Sequence, residues 1–193
     1  MKETIEVKEM KNQNTSNILI GVCGSIAAYK TCDLINRLRD NNCNVKCVMT
    51  NSALNFITPL TLETLSKNPV YHKMFETGYY TPEHISLADW AGLIVIAPAT
   101  ATTIARMANG LADDLLASTV LATRAPVLIC PAMNENMWFH PATKENVSRL
   151  KSYGYSFIGP GKGMLACGIE GHGRLVGTDD ILKSIFSILK KSK

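Results

Sequence analysis

Four apolar runs set the frame of this chain: Asn17–Val22, Val45–Met49, Leu93–Ala97 and Val127–Cys130. Each is short, nearly continuous and rich in β-branched residues, the pattern of strands buried on both faces rather than one. Between them lie segments with helix signals, and the alternation predicts an α/β fold: a doubly wound, Rossmann/flavodoxin-like parallel sheet in a single domain. After Val22 the chain turns through Cys23-Gly24-Ser25 into a helix running to about Arg39. Thr58-Pro59 opens another helix, with Thr as N-cap and Pro at the first helical position. Thr81 is the expected N-cap of a helix over 85–91, and further helices are expected from Ile104, from Asp113-Asp114, over 141–152 and over 180–189. Tyr155–Ile158 reads as a fifth strand.

Ligands in open parallel sheets bind beyond the C-terminal ends of the strands, so the strand-end turns hold the candidate chemistry. Gly21 and Gly24 would let backbone approach a ligand, and Ser25 adds a hydroxyl and an N–H at a helix start, a usable phosphate cradle. A tight strand-to-helix turn explains the same glycines. The second strand ends in Thr50-Asn51-Ser52, where a fold of the NAD type would place an acidic residue for the ribose hydroxyls. Hydroxyls and an amide without a carboxylate suit a phosphate monoester, so a mononucleotide such as FMN is favoured over NAD. Phe56 either lies beside that ligand or belongs to the core. Thr100, Thr102 and Thr103 make a second anion-friendly corner around Ala101, facing Ser25 across the sheet.

The turn Pro131-Ala132-Met133-Asn134-Glu135-Asn136-Met137-Trp138 suits a flat apolar ligand with one polar anchor, Asn134. It equally suits a core plug in which Met133, Met137 and Trp138 fill space and Asn134 caps a turn. His84 falls in a helix's first turn, where the dipole favours a neutral ring, the form a general base needs; a solvated surface histidine is the plainer reading, as it is for His72 and His140. The region 68–82 is irregular and aromatic, as loops packed over a ligand or neighbour are. Six glycines between 159 and 175, with Cys167 and Arg174 among them, describe a mobile flap rather than a packed element. The small-residue helix after Asp114 would allow close packing, including between subunits.

Composition narrows the classes. At 193 residues, 46% hydrophobic and 19% charged, the chain holds one sizeable core, with a polar arm over 1–16, a domain over 17–189 and a basic tail over 190–193. A net charge of +4 without a dense basic run gives no nucleic-acid footprint. The six cysteines form no C-x-x-C pair, so they read as reduced, mostly structural thiols of a cytoplasmic protein, with no metal site; Cys167, near Arg174, reads either as a reactive thiol or as an incidental cysteine of a glycine-rich loop. No signal peptide and no membrane span are expected.

Five segments together carry a resemblance: Gly24-Ser-Ile-Ala-Ala-Tyr-Lys, His84-Ile-Ser-Leu-Ala-Asp-Trp-Ala, Pro98-Ala-Thr-Ala-Thr-Thr, Pro131-Ala-Met-Asn-Glu-Asn-Met-Trp, and Ala166-Cys-Gly with Gly173-Arg174. In that order they resemble the homo-oligomeric flavin-containing cysteine decarboxylases, nearest to the branch that acts on 4′-phosphopantothenoylcysteine in coenzyme A synthesis. The resemblance implies FMN held by Gly24, Ser25, Ile26, Thr50, Asn51, Ser52, Phe56, Thr100, Ala101, Thr102, Thr103 and Ala132. It implies His84 and Cys167 as catalytic residues, and Asn134, Met137, Ala166 and Arg174 as substrate contacts. It also implies trimers sharing flavin sites, usually assembled as dodecamers, and a separate synthetase chain upstream. The flap departs from the family pattern: Ile169 and Glu170 follow Ala-Cys-Gly where the family commonly has Asp directly, and Leu175 stands where Met is common. Two relatives of the same fold remain as rival readings, a peptidyl-cysteine decarboxylase and a non-catalytic FMN-binding regulatory subunit.

Overall fold

The computed structural model describes residues 15–75, 82–164, 168 and 170–191. Six parallel strands form its central sheet: β1 Asn17–Val22, β2 Asn44–Met49, β3 Val70–Tyr71, β4 Leu93–Ala99, β5 Val127–Pro131 and β6 Ser156–Phe157. Their order is β3-β2-β1-β4-β5-β6, with every neighbouring pair parallel. The chain works outward from β1 to one edge and then restarts at β4 on the other side, which makes the β1/β4 boundary the switch point of the sheet. The pair β7 Gly161–Met164 and β8 Glu170–Arg174 stands apart as an antiparallel hairpin.

Both faces of the sheet are covered, and strand residues alternate between two cores. Ile18, Ile20 and Val22 pack with Leu34, Ile35 and Leu38 of α1 (Lys30–Asp40), Leu62 of α2 (Pro59–Ser66), and Ile181 and Ile185 of α8 (Thr178–Lys191). Leu19, Ile94, Ile96 and Ile129 pack on the other face. There they meet α3 (Glu83–Trp90), α4 (Ala101–Ala108), α5 (Leu115–Ala122) and α7 (Pro141–Ser152). Burial on two faces is why the strands read as continuous apolar runs.

Several expectations are corrected. Residues Leu115 to Val120 of the small-residue helix are all buried within the chain, so α5 is a core helix and not a free packing face. Gly21 serves that core: a Cβ there would lie 2.6 Å from Leu116 Cδ1, so its lack of a side chain accommodates α5 rather than a ligand. The helix expected over 85–91 starts at Glu83 with Pro82 in the cap position, while Thr81 lies outside the described residues. The helix at the threonine corner starts at Ala101, three residues earlier than expected, because Thr100 caps it by accepting from the Thr103 N–H. The irregular aromatic stretch contributes the two-residue edge strand β3, and Lys190 and Lys191 form the last turn of α8 rather than a tail. The glycine-rich flap is the β7–β8 hairpin; Gly163 and Gly173 take φ of +158° and +137°, backbone open mainly to glycine.

Candidate functional site

A cleft of about 790 Å³ opens over the C-terminal ends of the strands. Its floor comes from sharp turns after β1, β2 and β4. After β1 the chain is held by Cys23 N–H donating to the Pro98 carbonyl at 3.2 Å, and Ser25 then caps the short helical turn Ile26–Tyr29, its hydroxyl accepting from the Ala27 N–H. The Thr50 N–H donates to the Val22 carbonyl at 3.0 Å, bringing the turn after β2 against the first. Gly24 is what permits this: a Cβ would sit 2.5 Å from the Ser52 Cβ. Across the switch point, Thr100 caps α4, and the Ala132 N–H reaches the Ala99 carbonyl at 2.9 Å.

The buried Thr50 Oγ1 has no hydrogen-bond partner among the described residues. Leaving a buried hydroxyl unpaired costs on the order of 1–3 kcal/mol, so an orphan beside a cleft points to a ligand as the missing partner. The donors around it are hydroxyls and backbone amides, and the cleft's described lining contains no carboxylate. That set fits a mononucleotide phosphate and a hydroxylated tail, while Phe56, Ala132 and Met133 offer apolar surface for a ring. The residues present therefore fit FMN.

Opposite the floor the wall is built by Pro131–Trp138 and the hairpin together. Asn134 caps the short helix α6 (Glu135–Phe139), its Oδ1 accepting from the Asn136 N–H at 2.9 Å. The capping reading of Asn134 and the anchor reading are compatible, since its exposed side chain also lines the cleft and no protein acceptor takes its Nδ2 among the described residues. The Met133 N–H donates to the Gly173 carbonyl at 2.9 Å, and a Cβ on Gly173 would lie 2.1 Å from the Met133 oxygen. Next to it, Glu135 accepts from the His172 N–H at 2.7 Å, and the Phe139 and His172 rings meet edge to face at 5.6 Å. The hairpin is thus clasped to the turn after β5.

Of the residues singled out in the sequence, Gly24, Ser25, Ile26, Thr50, Ser52 and Phe56 line the cleft, as do Thr100 to Thr103, Ala132, Asn134, Met137 and Arg174. Asn51 and His84 do not; His84 is half-buried in the first turn of α3, outside this chain's own cleft. Ala166 and Cys167 lie outside the described residues. Lys30, Arg106 and Met164 line the cleft without having been singled out. Arg106 had a signal, lying one helical turn after Thr102 and Thr103 on α4. Its guanidinium pairs with Asp113 at 2.9 Å and Asp114 at 3.1 Å. Burial, and then the neighbouring Arg174 charge, hold the Lys30 ammonium below its ordinary pKa.

The thiols near the sheet are inert. Burial pushes Cys23 up to about 11 against a hydrogen bond from the Thr103 hydroxyl, and burial also raises Cys47 and Cys130. Five described cysteines are free, which agrees with structural thiols. Among the described residues no His/Cys/Asp/Glu group could hold a metal ion, and no helix is long and apolar enough to cross a membrane.

The Flavoprotein family model matches residues 6–190. A relative named coenzyme A biosynthesis bifunctional protein CoaBC, from Bacillus subtilis, is 50% identical over 171 residues, covering 88% of this chain and 42% of its own length. The chain therefore spans less than half of that relative. A probable phosphopantothenoylcysteine decarboxylase from Streptococcus mutans is 45% identical over 174 residues, covering 89% of this chain and 97% of its own length. Among solved structures, a PPC decarboxylase mutant complexed with pantothenoylaminoethenethiol superposes with a TM-score of 0.81 at 29% identity, covering 92% of this chain and 100% of that one. The FMN-dependent cysteine decarboxylase SpaF superposes with a TM-score of 0.80 at 31% identity, covering 92% and 97%.

Proposed function

Because the chain belongs to the flavoprotein family, we propose that it is an FMN-dependent decarboxylase converting 4′-phosphopantothenoylcysteine to 4′-phosphopantetheine. The observation that carries this reading is the cleft itself, in which an orphaned Thr50 hydroxyl and two capped strand-end turns face the Asn134 wall. Gly24, Ser25, Ile26, Thr50, Ser52, the Thr100 to Thr103 corner and Ala132 line the floor of the cleft and would hold the FMN there. When bound, the flavin supplies a two-electron acceptor for the substrate thiol and later returns those electrons as hydride.

The residues of this chain do the rest. A cysteine-derived carboxylate has no electron sink at its β carbon; once the thiol carbon is at the thioaldehyde level, C=S accepts the electrons of the breaking carbon–carboxylate bond, and carbon dioxide leaves an ene-thiolate. Asn134 orients the leaving carboxylate with its Nδ2 donors, the cap bond to Asn136 holding its Oδ1 in place. His84 accepts the proton released when the thiol is oxidised, and Cys167, between β7 and β8 in the sequence, donates one to the ene-thiolate carbon. The hairpin excludes water from the ene-thiolate.

His84 stands outside its own chain's cleft, so the reading includes a homo-oligomer, trimer-based, in which His84 serves the cleft of a neighbouring copy. Mixing two inactive variants, His84→Gln and Asn134→Ala, under conditions that exchange subunits restores part of the activity if sites are shared; no recovery removes the shared site. Its substrate comes from a phosphopantothenoylcysteine synthetase.

The function is tested by turnover of 4′-phosphopantothenoylcysteine by the FMN-loaded protein, read by mass spectrometry. In the same assay Cys167→Ser stops at the oxidised, decarboxylated product. Turnover of a cysteine-ended peptide in place of the phosphorylated substrate would establish the peptidyl-cysteine reading instead.

A further inference from the structure

Three cations line the cleft among its described residues, Lys30, Arg106 and Arg174, against no carboxylate. Arg106 is neutralised by Asp113 and Asp114. Lys30 and Arg174 have no ion-pair partner among the described residues, yet both line the same cleft and the Arg174 charge acts on Lys30, whose ammonium donates to the Leu175 carbonyl at 3.5 Å, one residue beyond Arg174. Two like charges side by side repel, and burial of Lys30 adds to the cost; both effects lower its pKa. The chain nonetheless keeps the pair together, one cation from α1 and one from β8. The Arg174 stem is held over Gly163 of β7, where a Cβ would come within 3.1 Å of its guanidinium and 3.3 Å of its Cδ.

We infer that Lys30 and Arg174 form a subsite for a phosphate monoester dianion, and that its occupant is the terminal phosphate of the substrate. The inference rests on the decarboxylase reading and adds to it the means by which the enzyme selects a phosphorylated substrate. A dianion between the two cations replaces their repulsion with two attractions, and the arginine fork adds a bidentate contact. The flavin carries a phosphate of the same chemistry. Its place, however, is furnished by neutral donors: the Ser25 cap, the orphaned Thr50 hydroxyl and the Thr100 corner. Arg174 belongs instead to the hairpin, the element that meets the Asn134 wall through the Met133–Gly173 bond and so faces the substrate side.

The test compares 4′-phosphopantothenoylcysteine with its dephosphorylated counterpart, using the FMN-loaded protein and the variants Lys30→Gln and Arg174→Gln. The parent enzyme is expected to prefer the phosphorylated substrate in kcat/KM, and each variant to reduce that preference about tenfold, the size of one charge-assisted hydrogen bond. The drop falls on the phosphorylated substrate, and flavin content measured by absorbance stays at the parent level. An unchanged preference in both variants overturns the subsite. So does equal loss on both substrates, which would put the cations on the carboxylate, and so does loss of flavin from the variants, which would give them the cofactor's phosphate. A parent enzyme that turns over neither substrate overturns the decarboxylase reading itself, a result distinct from turnover without phosphate preference.

Discussion

Thr50 is the residue whose environment says most about a ligand. Its hydroxyl is buried and unpaired among the described residues, while its backbone N–H is already committed to Val22. Thr50→Val keeps the branched shape and removes only the oxygen. Replacing an unsatisfied buried polar atom with a methyl is neutral or stabilising for the chain alone, but it deletes a contact to whatever the hydroxyl serves. The apo variant is therefore expected to melt no lower than the parent, while its FMN affinity, measured by quenching of flavin fluorescence, falls about tenfold. Lower apo stability with unchanged FMN affinity would make Thr50 a structural residue. Gly24 and Gly21 illustrate a limit at the same scale. Both end in strand-to-helix geometry that the sequence makes plain, but the partner each glycine admits, Ser52 for one and Leu116 for the other, comes from elements far along the chain.

Among the elements, the hairpin is the part of the site least visible in the sequence. Its glycines suggest a mobile flap, since six of them between 159 and 175 deny the segment any apolar face. What orders it lies outside the segment: Met133 bonds to Gly173, and the Glu135 carboxylate accepts the His172 N–H. Such pairings across about 40 residues have no local signature. The strands and the α1, α2 and α7 helices were legible because burial on both sheet faces and capped helix starts leave their marks in contiguous residues. The short helix α6 was missed for the opposite reason, since its N-cap Asn134 and its Met137-Trp138 pair serve a ligand turn and a helix equally well. Glu135→Ala is expected to release the hairpin while leaving the sheet intact. Amide exchange should rise in β7 and β8, KM should rise several-fold, and the melting temperature should change little; unaltered exchange there would remove Glu135 as the clasp.

For the molecule as a whole, the doubly wound sheet supplies both the stable core and the site, and its buried thiols tie stability to pH. Cys23 sits at about 11 in the folded state against an ordinary value of 9.0. A pKa raised on folding contributes stability fully below the unfolded value, and that contribution is lost as pH climbs through the folded one. Stability to urea should therefore hold from neutral pH to about pH 9 and decline toward pH 11, with Cys47 and Cys130 shifted in the same direction. Constant stability across that window would contradict the burial of these thiols. The central claim is the reaction. The measurement that tests it most directly is mass spectrometry of 4′-phosphopantothenoylcysteine incubated with the FMN-loaded protein. Conversion to a product lighter by one carbon dioxide, identical to 4′-phosphopantetheine, is the predicted result. Unchanged substrate in the presence of bound FMN would contradict it.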